Sequence, residues 1–163
     1  MRGEDVMNDK PAGKERAELI IRKYANLIYR VAYQNICNRA DADDIFGEVC
    51  LAVMTKNPPS DSEEHLRKWL ITVTLNKCRN MKKSAWRTRN EPLDDHIDLP
   101  SEDARQVMEE LSRLPENYRN VVYLYYYEEY TIAEIGEILG KSPNTVSTWL
   151  RRAREKLKKI LEE

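Results

Sequence analysis

The sequence predicts an all-helical chain of two small domains joined by a flexible acidic linker, the second domain carrying a helix-turn-helix. Three observations predict it. Apolar residues recur at helical spacing over most of the chain, and glycine is scarce, with 5 in 163 residues. An acid-rich stretch containing proline and lacking that periodicity interrupts the pattern over residues 90–102. Near the end, a Thr-x-x-Glu pair, a glycine and a Ser-Pro pair punctuate two short periodic segments in the order a helix-turn-helix needs.

Residues 1–13 are polar, with Gly and Pro, and are expected as a disordered tail. A first helix follows over 14–38, with Leu19, Ile20, Tyr24, Leu27, Ile28, Val31 and Ala32 on one face. A second begins near Asp41, where Asp41, Asp43 and Asp44 favour a helix N-terminus, and carries Ile45, Val49, Ala52 and Val53. Pro58 and Pro59 stop it, since neither can donate to a helical ladder. Ser60 and Glu63 offer a capping box for a third helix, which runs through Trp69, Leu70, Val73 and Met81. These three helices form a first domain over 14–89. Residues 103–163 form a second, with Val107, Met108 and Leu111 in its first helix and Tyr118, Val121, Val122 and Leu124 in its next. The run Tyr125–Tyr127 is read as packing at a helix end rather than as a base-stacking platform.

The helix-turn-helix is read residue by residue. Thr131 and Glu134 start a helix whose Ile132, Ile135, Ile138 and Leu139 share a face, and Gly140 supplies the left-handed stop. Ser142 caps the next helix, Pro143 takes its first position, and Val146, Leu150, Ala153, Leu157 and Leu161 line its buried side. Ser147, Thr148, Arg151, Arg152 and Arg154 then face elsewhere. Small polar residues leading a basic helix let it enter a major groove and reach bases and phosphates.

The net charge of −1 conceals a pattern. Lys77, Arg79, Lys82, Lys83, Arg87 and Arg89 form a basic block without an acid. Residues 91–110 are acidic with Arg105 the one base, and 142–160 are basic with Glu155 the one acid. Two basic blocks flanking an acidic spacer point to two anion-binding surfaces. Cys37, Cys50 and Cys78 lack zinc-pair spacing and are odd in number, so they read as small buried hydrophobes, and no metal or cofactor is expected. The acids Asp41, Asp43, Asp44 and Glu48 lack the further ligands a hard cation wants. No phosphate loop or nucleophile motif occurs, and no apolar run spans a membrane, so the chain reads as a cytoplasmic non-enzyme. A self-sufficient helix-turn-helix regulator with a helical sensor domain, and a nucleic-acid enzyme using the acid cluster, stay open as alternatives on the residues alone.

The whole chain resembles bacterial sigma-70-family factors of the extracytoplasmic-function group. Residues 41–54, DADDIFGEVCLAVM, are similar to the region 2.2 helix, and 67–83, RKWLITVTLNKCRNMKK, to regions 2.3 and 2.4. Residues 113–161, from RLPENYRNVV to RRAREKLKKIL, are similar to region 4. Gly47 stands where the family usually has Gln, and Asn80 where many members have Asp. Ser147 and Thr148 occupy positions that often carry a basic residue followed by Ser. The resemblance implies core RNA polymerase as partner, met by Asp41, Asp44, Ile45 and Glu48 at the β′ clamp helices and by the second domain at the β flap. It implies promoter DNA as the other partner and adds an anti-sigma factor as a further candidate. Asn57, Ser60, Asn76, Lys77, Arg79, Asn80 and Lys83 would meet the −10 element. Ser147, Thr148, Arg151, Arg152 and Arg154 would meet the −35 element, and the acidic linker would thread the RNA-exit path.

Overall fold

The structure, a computed structural model, describes residues 2–84 and 102–162. The expected linker therefore lies outside the described residues, apart from Glu102, as do Arg87 and Arg89. Seven α-helices make up the described chain: α1 (Arg2–Ile36), α2 (Arg39–Thr55), α3 (Glu63–Ser84), α4 (Glu102–Leu111), α5 (Glu116–Val122), α6 (Ile132–Leu139) and α7 (Pro143–Glu162).

Local chemistry explains most of the boundaries. α1 closes at Cys37, which takes a left-handed φ of 55° and donates its amide to Tyr33 O at 2.7 Å. Asn38 then turns directly into α2, its side chain accepting from Asp41 N at 3.0 Å. This two-residue connection folds α2 back along α1. Two expectations move. α1 is helical from Arg2, so residues 2–13 of the expected tail belong to it; extending a helix adds a hydrogen bond for each residue fixed. The cap of α3 is Ser62 rather than Ser60, because Ser62 Oγ accepts from His65 N at 3.0 Å once the helix has started at Glu63. In the second domain α5 does not run on regularly through the tyrosines. Residues Tyr123–Tyr127 form a π-helical turn closed by Glu128 N donating to Tyr123 O at 3.1 Å. The wider turn lets Tyr123 and Tyr127 stack, ring centroids 5.2 Å apart.

In the first domain α1, α2 and α3 bury Ile28, Val31, Ile45, Val49, Val53, Leu70, Ile71 and Leu75 together. In the second, Leu111, Val121, Leu124, Ile135, Val146, Leu150 and Ala153 do the same. Both belong to one continuous apolar cluster, because α1 also packs on α5 and α3 on α6. Cys37 and Cys78 are buried as small hydrophobes, and burial pushes the Cys78 thiol up to about 12; Cys50 is half-buried. Leu161, expected inside, is 66% exposed in the last turn of α7. No helix among the described residues is long and apolar enough to cross a membrane.

Candidate nucleic-acid interface

The α6–α7 pair has the geometry its sequence calls for. Thr131 Oγ1 accepts from Glu134 N at 3.2 Å while Glu134 Oε1 accepts from Thr131 N at 3.0 Å, a complete capping box. Gly140 ends α6 at φ 68° and ψ 37°, and Ser142 Oγ accepts from Thr145 N at 3.2 Å to begin α7. One requirement went unread in the sequence. A Cβ on Gly136 would come within 2.6 Å of the Lys141 carbonyl, so the turn crosses α6 where a bare backbone alone fits. A lone Gly inside a helical pattern was the signal available.

α7 buries Val146, Leu150 and Ala153, which leaves Ser147, Arg151 and Arg152 exposed and Thr148 half-buried. Arg151 reaches Glu155 at 3.3 Å, an exposed pair one turn along the helix, whereas Arg152 meets no ionic partner among the described residues. Arg154 is engaged elsewhere. Its Nε donates to Tyr126 Oη at 2.5 Å and its guanidinium lies 5.7 Å from the Tyr125 ring centroid and 5.4 Å from that of Tyr126. Tyr126 is accordingly 55% exposed, so only part of the tyrosine run serves the core.

On α3, Asn76, Arg79, Asn80 and Lys83 are exposed at spacings of three, one and three, a single stripe along the helix, with Arg79 donating to Asn76 Oδ1 at 3.0 Å. Lys77 lies half-buried beside that stripe. At the other end of α3, Asn57 and Ser60 are exposed on the loop from α2, and Pro58 is buried beneath them. The loop is held by a residue that no local pattern singled out. Arg16, on α1, donates from Nη1 to Pro58 O at 3.1 Å and from Nη2 to Pro59 O. A hollow of about 500 Å³ lies alongside, lined by Arg16, Ala17, Val53, Met54 and Asn57 among others.

The four residues expected on a polymerase-facing surface separate. Asp44 and Glu48 are exposed one turn apart and, among the described residues, neither pairs with a base. Ile45 is 0% exposed and Asp41 is buried at the Asn38 cap. Both therefore belong to the packing of α2 rather than to its outer face, as their turn to the α1 side dictates. The outer face runs Asp44, Gly47, Glu48, Leu51 and Met54, and a side chain at Gly47 would meet open space. Asp43 is tethered by Tyr29, whose hydroxyl donates to it at 2.7 Å. The acids of α2 thus point different ways, and no group of three or more His, Cys, Asp or Glu converges among the described residues.

Two helical domains, one ending in an exposed Asn/Arg/Lys stripe and the other in a capped helix-turn-helix with a basic second helix, define a DNA-binding protein of the helix-turn-helix class. Comparison with known proteins fixes the family. Residues 20–88 match the model for sigma-70 region 2 and residues 104–157 that for sigma-70 region 4. The ECF RNA polymerase sigma factor SigW of Bacillus subtilis is 26% identical over 164 residues, 88% of each chain. RNA polymerase sigma factor SigV of the same organism is 27% identical, covering 90% of this chain and 92% of its own. Among solved structures, the sigma factor RpoE in complex with the anti-sigma factor NepR from Bartonella quintana superposes with a TM-score of 0.66 at 18% identity, covering 91% of this chain and 96% of that one. CnrH in complex with the cytosolic domain of CnrY gives 0.63 at 20%, covering 94% and 97%. The chain belongs to the sigma-70 family, in its extracytoplasmic-function group. It is an alternative sigma factor, which binds core RNA polymerase and directs promoter-specific transcription initiation.

Proposed function

We propose a division of labour within this sigma factor. α7 reads the −35 element through Ser147, Thr148, Arg151 and Arg152, and Arg154 braces the helix on Tyr125 and Tyr126 rather than meeting the DNA backbone. The loop at Asn57 and Ser60 captures a −10 base, while Asn76, Lys77, Arg79, Asn80 and Lys83 hold the separated strand. The outer face of α2, with Asp44 and Glu48, meets the β′ clamp helices, and the second domain meets the β flap. The chain supplies binding and strand separation while the polymerase performs the chemistry, so no catalytic step falls to it. It works where the polymerase works, in the cytoplasm, and an anti-sigma factor is a candidate regulator.

The observation that carries this reading is the exposed stripe at the end of α3, on the same helix that the clamped loop leads into. A flipped base needs short polar groups on its Watson–Crick edge, and the strand beside it needs positive charge. Asn57 and Ser60 supply the first, and Arg79 and Lys83 the second. The Arg16 clamp fixes the loop in advance, so capture does not spend binding free energy on ordering it. Transcription with core polymerase on a duplex promoter and on one with a premelted −10 bubble tests this. Loop exchange is expected to change which −10 base is preferred, and Lys77→Gln with Lys83→Gln to impair the duplex more than the bubble. Unchanged base preference together with equal loss on both templates would reduce the first domain to a polymerase anchor.

A further inference from the structure

One cleft carries chemistry that the promoter contacts leave unused. It holds about 590 Å³, inside the range of about 300–1,000 Å³ typical of small-molecule sites. Its floor is apolar: Leu75 of α3 and Leu139 of α6 line it, are buried, and belong to the cluster that runs through both domains. The side chains above that floor fall into two chemical groups.

The first group is cationic. Arg79 and Lys83, one turn apart on α3, line the cleft, and Lys141 joins them from the turn before α7. Lys82 is there too, but it is paired at 2.7 Å with Glu116, the one acid among the lining residues. Arg79 donates to the neutral Asn76 side chain, and among the described residues Arg79, Lys83 and Lys141 meet no carboxylate. A cleft lined by one sign of charge between low-dielectric walls concentrates ions of the other sign.

The second group can stack and read. Trp149 of α7 lines the cleft half-buried, with the Lys141 ammonium 5.9 Å from its ring centroid. Asn117 and Asn120 line it from α5, three residues apart on one face. Asn120 is 7% exposed and is oriented by Asn35, with which it exchanges amide hydrogen bonds of 3.0 and 2.8 Å. That exchange uses one of its two Nδ2 hydrogens. Asn117 is exposed, with its amide directed to no described residue. A bare inorganic anion would leave the indole and the amides idle. A nucleotide uses all of them: the base stacks on an aromatic ring, its edge meets amides, and its phosphates take charge-assisted hydrogen bonds.

We propose that this cleft binds a nucleoside polyphosphate, with the base against Trp149, its edge at Asn117 and Asn120, and the phosphates on Arg79, Lys83 and Lys141. Arg79 and Lys83 are also the bases assigned above to the separated −10 strand, so an occupied cleft withholds them from it. The site itself does not rest on that assignment, because Trp149, Lys141 and the asparagines have no part in the −10 contact.

The test is isothermal titration calorimetry of the full chain with ATP and, separately, GTP, at low salt without magnesium. At least one is expected to bind one-to-one with a Kd at or below about 0.1 mM, and to quench tryptophan fluorescence. Arg79→Gln with Lys83→Gln is expected to weaken binding about 100-fold, the loss of two charge-assisted contacts. Trp149→Leu is expected to weaken it about ten-fold and to abolish the quench, the loss of one stack. Inorganic triphosphate should bind more weakly than the nucleotide and be indifferent to Trp149→Leu. Should that variant lose its helical circular dichroism, Asn117→Ala, on an exposed side chain, takes its place and should weaken the nucleotide while leaving triphosphate unchanged. No saturable binding of either nucleotide up to about 1 mM would overturn the site. So would triphosphate binding as tightly as nucleotide, since charge alone then accounts for it. The −10 assignment is judged apart: Trp149→Leu and Asn117→Ala should leave −10 base preference unchanged, whatever they do to nucleotide.

Discussion

Two single residues of the second domain, Gly136 and Glu129, place opposite demands on the backbone. Gly136 faces the Lys141 carbonyl so closely that a Cβ would lie 2.6 Å from it, and backbone cannot swing aside as a flexible side-chain tip can. Gly136→Ala is expected to destabilise the second domain by about 1–3 kcal/mol through overpacking, seen as a lower urea midpoint with an unchanged slope. Glu129 is the reverse case. It is exposed and holds φ at 61°, a conformation costing a residue with a Cβ about 1–2 kcal/mol. Glu129→Gly is therefore expected to raise the midpoint, the relief outweighing the added entropy of the unfolded chain. If the first substitution is neutral or the second destabilises, the backbone geometry described for the turn is wrong. Neither demand is plainly written in the sequence. Gly140 was legible because it follows a periodic run, whereas Gly136 lies inside one and Glu129 is a residue type that seldom marks a turn. Arg16 was invisible for a related reason: its partners, Pro58 and Pro59, stand more than forty residues away, and no local pattern connects them.

At the scale of elements, the caps were legible and the wide turn was not. Thr131, Glu134, Gly140, Ser142 and Pro143 act on amides within a few residues, so their spacing alone places α6 and α7. The π-helical turn at Tyr123–Tyr127 depends on how the tyrosines pack against Arg30 and one another, and aromatic content cannot specify that. The α6 cap also carries a pH signature. The Thr131 amide and the Lys68 ammonium both bind the Glu134 carboxylate, holding it down at about 2 from an ordinary 4.5. A carboxyl depressed on folding contributes stability that is present above its unfolded pKa and is lost as pH falls through its folded one. The contribution of Glu134 is thus complete at neutral pH and declines between about pH 4.5 and about pH 2. Glu134→Gln is expected to lower the urea midpoint at pH 7, with the gap to the parent chain closing over that window. A gap that stays constant from pH 7 to pH 2 would mean the capping box does not hold a charged carboxylate. Lys68 belongs to the first domain, so part of this effect reports on domain contact as well as on the helix start.

For the whole molecule, the arrangement of charge decides behaviour more than its sum. A net charge of −1 gives no bulk attraction to DNA, yet the exposed bases gather on the α3 stripe and along α7. That grouping was readable in the sequence as two basic blocks. What could not be read was that Arg79 and Lys83 line one cleft with the turn before α7, since long-range pairs such as Asn35 with Asn120 leave no local trace. The charge pattern makes a quantitative claim about the polymerase-bound form. Each phosphate neutralised on a single strand contributes about 0.7 to the slope of log affinity against log salt. Arg79 and Lys83 are exposed on the same stripe, and under the proposed −10 contact each would meet one phosphate of the separated strand. Arg79→Gln combined with Lys83→Gln is expected to flatten that slope by about 1.4 for holoenzyme on a forked −10 template. The base preferred at the captured position should not change, because phosphate contacts position the strand without reading it. Filter binding from low to moderate salt measures the slope, and competition among templates differing at that base measures the preference. Weaker binding with an unchanged slope would mean the two side chains act through the fold of α3 rather than on the strand. A changed preference with the slope intact would make them readers of sequence instead.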